Sequence, residues 1–239
     1  MKYWIIVPAA GRGLRFGSDT PKQYCALAGR TVIELSLERL MVLSGTVLVA
    51  LREGDERWRE LEGFSGPRVR RVTGGVRRMD SVLSALEALE GEAGEDDWAL
   101  VHDAARPCVR AGDLEHLVDI LNDHPVGGIL ASPLTATLKQ IDPAVVGEAG
   151  MRAAGEVRQT LPRDNLWLAQ TPQMFRYGLL RTALQTCRNA GVDATDEAAA
   201  IEYMGYAPAV VAGSNDNLKI TSAEDLELAE IILQAQRNS

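Results

Sequence analysis

Cysteine is scarce in this sequence. Cys25, Cys108 and Cys187 are the only three among 239 residues. Far apart and odd in number, they exclude a disulfide frame and a zinc spacing. They fit a reducing compartment and read as small apolar fillers or surface thiols. Positive charge is short as well: 25 Lys and Arg stand against 33 Asp and Glu, a formal charge of −8. Duplex binding needs a broad basic face, so no nucleic-acid partner is expected. Any anionic ligand must instead be met by cations gathered locally, or through a metal. No apolar run reaches bilayer length, and the first residues show no basic, apolar, small-residue leader. A cytoplasmic protein without a membrane partner is expected. Repeats, low-complexity tracts and linkers are also missing. With 46% hydrophobic residues the chain can bury a real core, and it reads as one α/β domain over residues 1–239.

What is present is concentrated near the amino end, in Tyr3 to Tyr24, YWIIVPAAGRGLRFGSDTPKQY. The apolar run Tyr3 to Val7 reads as a buried strand. It feeds a loop of Pro, Ala and Gly that carries Arg12, Arg15 and Lys22. Such a loop makes an anion cradle: glycine lets the backbone approach phosphate, N–H groups point at it, and cations neutralise it. A dinucleotide fingerprint is the nearest alternative, since Gly11-x-Gly13 follows a strand. The third glycine is missing, because Phe16 stands in its place and Gly17 comes one late. The acid at the right distance, Glu34, falls inside a helical pattern rather than at a strand end. Three cations suit a nucleoside triphosphate, with charges aimed at a reacting phosphorus.

Further along, strand and helix patterns alternate. Helices are expected at Thr31–Leu43, Gly54–Gly63, Ser81–Leu89, Gly112–Leu121, Leu179–Ala190, Thr195–Met204 (capped by Thr195) and Ser222–Gln236. Strands are expected at Thr46–Leu51, Arg68–Val72, Trp98–Val101, Gly128–Ala131, Trp167–Phe175 and Ala209–Val211. The alternation predicts a Rossmann-like, mostly parallel sheet with helices on both faces. Ligands then bind beyond the carboxyl ends of the strands. The loops Ala9–Lys22, Gly74–Asp80 and Asp103–Arg110 should line one crevice. Between about residues 133 and 163 no helix template fits, and a long β-arm is expected, packed on a second subunit.

Six motifs in order carry a resemblance. They are Pro8-Ala9-Ala10-Gly11-Arg12-Gly13 with Pro21-Lys22-Gln23-Tyr24, and Gly74-Gly75 with Asp80-Ser81-Val82. Then come Val101-His102-Asp103-Ala104-Ala105-Arg106-Pro107, Thr171-Pro172-Gln173, Thr195-Asp196-Glu197-Ala198 and Asp216-Asn217-Leu218-Lys219. From about Trp4 to Ala229 the chain resembles the 2-C-methyl-D-erythritol 4-phosphate cytidylyltransferases, of the sugar-nucleotide type of nucleotidyltransferase. The resemblance implies transfer of a cytidylyl group from CTP to methylerythritol phosphate in the non-mevalonate isoprenoid route, with Mg²⁺ and a homodimer. A ribitol 5-phosphate cytidylyltransferase shares the fold and the nucleotide loops. A non-catalytic nucleotide-binding module is a third reading, which cations at the α-phosphorus disfavour.

Residue by residue, the resemblance makes Arg15 and Lys22 transition-state stabilisers, and leaves Arg12 outside the catalytic set. Lys219 and Arg163 match the residues that position the polyol phosphate. Pro8, Ala9, Ala10, Gly11, Gly13, Gly75, Ser81, Asp103 and Ala104 match the nucleotide site. Thr137, Thr171 and Thr195 match other substrate contacts, with Thr137 and Arg163 serving in trans from the arm. Val76 stands where the family carries an acid in many members, and Arg78 is placed to close over that edge. Asp103, at a strand end, is the expected Mg²⁺ ligand. Asp216 is a weaker second acid. Arg106 is expected to brace its loop, and His102 to be structural.

Overall fold

The structure, a computed structural model, describes residues 2–11, 20–61, 63–64, 66–143 and 155–238. In chain order the strands are β1 (Tyr3–Pro8), β2 (Ala26–Leu27), β3 (Arg30–Thr31), β4 (Thr46–Leu51), β5 (Val69–Thr73), β6 (Trp98–Val101), β7 (Gly127–Pro133), β8 (Leu138–Pro143), β9 (Gly155–Leu161), β10 (Trp167–Arg176) and β11 (Ala209–Ala212). The helices are α1 (Val32–Leu40), α2 (Arg78–Glu87), α3 (Ala111–Leu121), α4 (Tyr177–Asn189), α5 (Glu197–Tyr203) and α6 (Ala223–Arg237).

Seven strands form one sheet in the order β11-β7-β10-β6-β1-β4-β5. Its pairs are parallel except those of β10, which runs antiparallel to both β6 and β7. This is the mostly parallel α/β sheet that the alternation predicts. The strand sequences explain why it is covered on both faces. In β1 the side chains alternate: Trp4 and Ile6 join one apolar cluster, Ile5 and Val7 the other. A strand buried on both sides must be apolar throughout, which is why β1 reads as an unbroken run. The first cluster is completed by Met79, Leu83 and Leu86 of α2, Leu180 and Leu184 of α4, and Ile201 of α5. Ile33, Leu37 and Leu40 of α1 and Leu114, Leu117 and Leu121 of α3 complete the second. A smaller cluster seats Ala229 and Leu233 of α6 on Leu27, Leu35 and Ile220.

Several helix starts follow from their caps. Thr31 and Glu34 form a reciprocal capping box at α1, and Ser222 and Asp225 another at α6. Two expectations are corrected. Thr195 does not cap α5; the Asp196 side chain does, accepting from Ala199 N–H at 2.9 Å. A carboxylate so placed also favours the positive end of the helix. Residues 54–63 do not form a helix. Between Gly54 and Gly63, both at positive φ, the described residues form only the 3₁₀ turn Arg57–Glu60, with Trp58 buried. With Trp58 as the one buried side chain of the turn, the stretch lacks the apolar stripe whose packing would repay helix nucleation.

The arm is a ribbon with its own two-stranded sheet. β8 and β9 pair antiparallel from Leu138↔Leu161 to Pro143↔Gly155. Ile141 and Val157 are 46% and 58% exposed, so the ribbon does not bury its own apolar side chains. Its sheet pairing spans Leu138–Leu161, while Pro133 still belongs to β7 of the main sheet.

Candidate active site

At the carboxyl ends of β1, β4, β5 and β6 lies a cavity of about 890 Å³. The three loops named from sequence converge on it: its lining includes Pro8, Ala9, Ala10 and Gly11, then Gly74, Gly75 and Ser81, then Asp103 and Ala104. The first loop is held from below. Gln23 donates from Nε2 to the carbonyls of Ala9 (2.9 Å) and Gly11 (3.3 Å), and Ala9 N–H donates to Ala50 O (2.8 Å). Lys22, on the 3₁₀ turn Lys22–Tyr24, lines the cavity and donates to Ile220 O at 3.1 Å. Lys219 lines it too, so cations from opposite ends of the chain meet there. Gly13 and Arg15, with Arg12, lie outside the described residues.

The second loop depends on two glycines. A Cβ on Gly74 would lie 2.7 Å from Ala10 Cβ, and one on Gly75 would lie 2.4 Å from Asp80 Cβ. Gly75 N–H donates to Ser81 Oγ at 3.1 Å, and the Ser81 hydroxyl reaches Arg77 O at 3.2 Å. Ser81 therefore shapes the loop as well as lining the cavity. Val76 protrudes fully into solvent at the cavity rim.

Asp103 is the electrostatic centre. Its Oδ1 accepts from Arg78 Nε at 2.9 Å, its Oδ2 lies 2.7 Å from Lys219 Nζ, and Arg106 Nε stands 3.8 Å away. Burial pushes this carboxyl upward, but Arg78, Lys219 and Arg106 outweigh that and hold it well below the usual carboxylate range. It stays ionised. The outer end of Arg78 forks onto Glu197, Nη1 to Oε1 at 2.7 Å and Nη2 to Oε2 at 3.0 Å. Burial disfavours the charged guanidinium, yet Glu197 and Asp103 together raise it further above its ordinary value.

A smaller polar cavity of about 180 Å³ adjoins the first, sharing Arg78, Asp103 and Lys219 as its wall. Its far side is formed by Gln170, Thr171, Gln173, Thr195 and Asp196. Thr171 is buried, and its Oγ accepts from Asp103 N–H at 3.0 Å. It also meets His102 Nδ1 at 3.1 Å, while His102 Nε2 lies 3.1 Å from Arg106 O. With Nε2–H donating to that carbonyl, Nδ1 accepts from the Thr171 hydroxyl, so the ring is neutral. Burial lowers its pKa to about 4. His102 is thus a structural brace, as is Arg106, which donates to Asn217 O at 2.6 Å.

Not every expected residue comes to the cavities. Thr137 and Arg163 sit at the base of the arm, exposed, and line neither cavity of their own chain. Arg163 instead donates to Thr135 O. Asp216 is corrected as a second acid: Arg110 and Gln236 occupy it, at 2.6 and 3.1 Å, outside both cavities.

A divalent ion fits this donor set in one way. Among the described residues no group of three or more His, Cys, Asp or Glu could cage a metal. Asp103 alone faces the shared wall. That suits Mg²⁺, which takes one or two carboxylates and completes its shell with phosphate oxygens and water.

Sequence reasoning underrated Arg78 and passed over Glu197, Gln23, Arg52 and Glu53; Arg52 and Glu53 line the large cavity after β4. The signal for Glu197 was available: it opens Glu-Ala-Ala-Ala-Ile, and the four residues that follow it are all apolar. A charge in such a run is buried and needs a partner.

Comparison with known proteins agrees with this geometry. Residues 3–235 match the family model described as 2-C-methyl-D-erythritol 4-phosphate cytidylyltransferase. The protein of that name from Pseudomonas aeruginosa (strain UCBPP-PA14) is 50% identical over 228 residues, covering 94% of this chain and 93% of the relative. The one from Ectopseudomonas mendocina (strain ymp) is 48% identical over 229 residues, with the same coverage. The crystal structure of the Francisella tularensis protein aligns with TM-score 0.79 and 36% identity, over 97% of this chain and 100% of that one. A 4-diphosphocytidyl-2C-methyl-D-erythritol synthase structure aligns with TM-score 0.80 and 32% identity, over 97% and 99%.

Proposed function

The chain belongs to the 2-C-methyl-D-erythritol 4-phosphate cytidylyltransferase family, and on that premise we propose how its residues divide the work of the reaction. The enzyme transfers the cytidylyl group of CTP to 2-C-methyl-D-erythritol 4-phosphate, giving 4-diphosphocytidyl-2-C-methyl-D-erythritol and pyrophosphate. One observation carries the division of labour: a large cavity and a small polar one meet at a wall of Arg78, Asp103 and Lys219. CTP takes the large cavity, against the Ala9–Gly11 backbone and Gly75. The polyol phosphate takes the small one, beside Thr171 and Thr195.

A phosphate oxygen of the polyol attacks the α-phosphorus, and the bond to the bridging oxygen breaks as pyrophosphate leaves. No protein nucleophile is required. The protein aligns two anions that repel each other and neutralises the growing charge. Lys22 and Arg15 serve the α-phosphate, Lys219 and Arg163 the polyol phosphate. Mg²⁺ held by Asp103 would draw charge from the triphosphate oxygens. Arg163 and Thr137 line neither cavity of their own chain, which supports a homodimer in which each arm serves its neighbour's site. Among the described residues no helix is long and apolar enough to cross a membrane; the acidic balance speaks against a nucleic-acid partner, and the three scattered cysteines support a reducing cytoplasm.

Pyrophosphate release tests the reading. With CTP and Mg²⁺, methylerythritol phosphate should turn over well above ribitol 5-phosphate. Preference for ribitol phosphate, or CTP binding without release, would overturn it.

A further inference from the structure

Glu197 is fully buried and lines neither cavity. It cannot touch a ligand in either one. Its two carboxylate oxygens are both spent on Arg78, in the planar bidentate geometry that fixes a guanidinium most firmly. Arg78 in turn lines both cavities and spends Nε on Asp103. The chain of contacts therefore runs from α5 through Glu197 to the first residue of α2, then to the end of β6 and on to Lys219.

We propose that Glu197 is a positioning residue for cytidylyl transfer: its buried carboxylate holds the Arg78 guanidinium in the wall between the two cavities and, through it, sets Asp103. The proposal rests on the functional reading above, in that both cavities must hold anions. Near two anionic substrates an arginine without a counter-charge would swing to the nearest phosphate. With one N–H from each η nitrogen on Glu197 and Nε–H on Asp103 Oδ1, the guanidinium plane is fixed and its two remaining η N–H groups keep set directions, while Oδ2 is left to Lys219. A plain tie between α2 and α5 would not need ions. A buried pair often adds nothing to stability over apolar residues of the same volume, so a fold brace alone does not account for a carboxylate here.

Glu197→Gln keeps the shape and one acceptor but removes the charge. For a residue acting through another on a site, kcat/KM should fall about 10- to 100-fold, with KM raised for both CTP and the polyol phosphate. In an Arg78→Met background the same change should cost little more, because the two residues act as a unit. Glu197→Asp, which restores charge with a shorter reach, should recover part of the loss. Kinetics are normalised to folded enzyme by circular dichroism. If the folded fraction of E197Q turns over with unchanged kcat and both KM values, or if the two changes are additive, the proposal fails. A wild type that releases no pyrophosphate would overturn the functional reading instead. The positioning role is then decided by calorimetric CTP affinity, which E197Q should weaken by about tenfold and which must not be unchanged.

Discussion

Lys219 Nζ stands 2.7 Å from Asp103 Oδ2, so the cation assigned to the polyol phosphate rests on the acid assigned to the metal. Each sets the position of the other. Lys219→Met should raise the KM for methylerythritol phosphate at least about tenfold while leaving that for CTP within about threefold, since one lost charged contact costs on the order of 1.5–3 kcal/mol. Initial rates against each substrate in turn check the split. Equal increases in both KM values would place Lys219 on the nucleotide instead.

Metal dependence should pass through the same acid. Chelation should reduce turnover to background, and added Mg²⁺ should restore it. In Asp103→Asn the Mg²⁺ concentration giving half-maximal rate should rise about tenfold or more, because a charged oxygen ligand is replaced by a neutral one. An unchanged Mg²⁺ titration would remove Asp103 from the metal site.

Lys22 is assigned to charge that appears only during transfer. Lys22→Ala should leave CTP affinity within about tenfold and lower kcat by roughly 10²–10³. Calorimetry and single-turnover rates separate the two; parallel losses would make Lys22 a ground-state ligand.

The arm residues allow a test by mixing. A Lys22→Ala chain and an Arg163→Ala chain should each be nearly inactive alone. If Arg163 serves the partner's site, mixed dimers hold one intact site, and refolding the two variants together at equal amounts should restore about a quarter of wild-type activity. No recovery, with mixed dimers shown by mass spectrometry, would confine Arg163 to its own chain.

His102 ties stability to pH. Its pKa falls from 6.5 to about 4 on folding, so the unfolded chain binds the extra proton between those values. Its contribution is complete above pH 6.5 and is lost as pH falls towards 4. At pH 5 this amounts to about 2 kcal/mol. Urea unfolding at pH 7.5 and pH 5, in chelator, should include that loss, and His102→Gln should shrink the difference by about that amount while lowering stability at pH 7.5.

Much of the fold was legible because its signals are local. An unbroken apolar strand, caps at Thr31 and Ser222, and glycines before phosphate-sized space all lie within a few residues of what they cause. The errors also have local causes. Thr195 and Asp196 are neighbours with equal claims as caps, and only the backbone decided for Asp196. The polar stretch 54–63 hid a buried Trp58, since one anchored aromatic does not make a helix. What could not be read was the pairing of Arg78 with Glu197. They stand 119 residues apart, so the apolar run after Glu197 says that this acid needs a partner but not which cation supplies it. Asp216 misled for the converse reason: the acid is real, but Arg110 had already taken it.

Strand β10 has a final implication. Running against its neighbours, it begins at the exposed pair Trp167–Leu168 beside the arm and passes, through a break in register between Ala169 and Gln173, along the floor of the small cavity. The strand that exposes Trp167 beside the arm is therefore the same one that brings Thr171 to the small cavity four residues later. Association and acceptor choice would then be inherited together, and changing one by mutation near the arm would disturb the other.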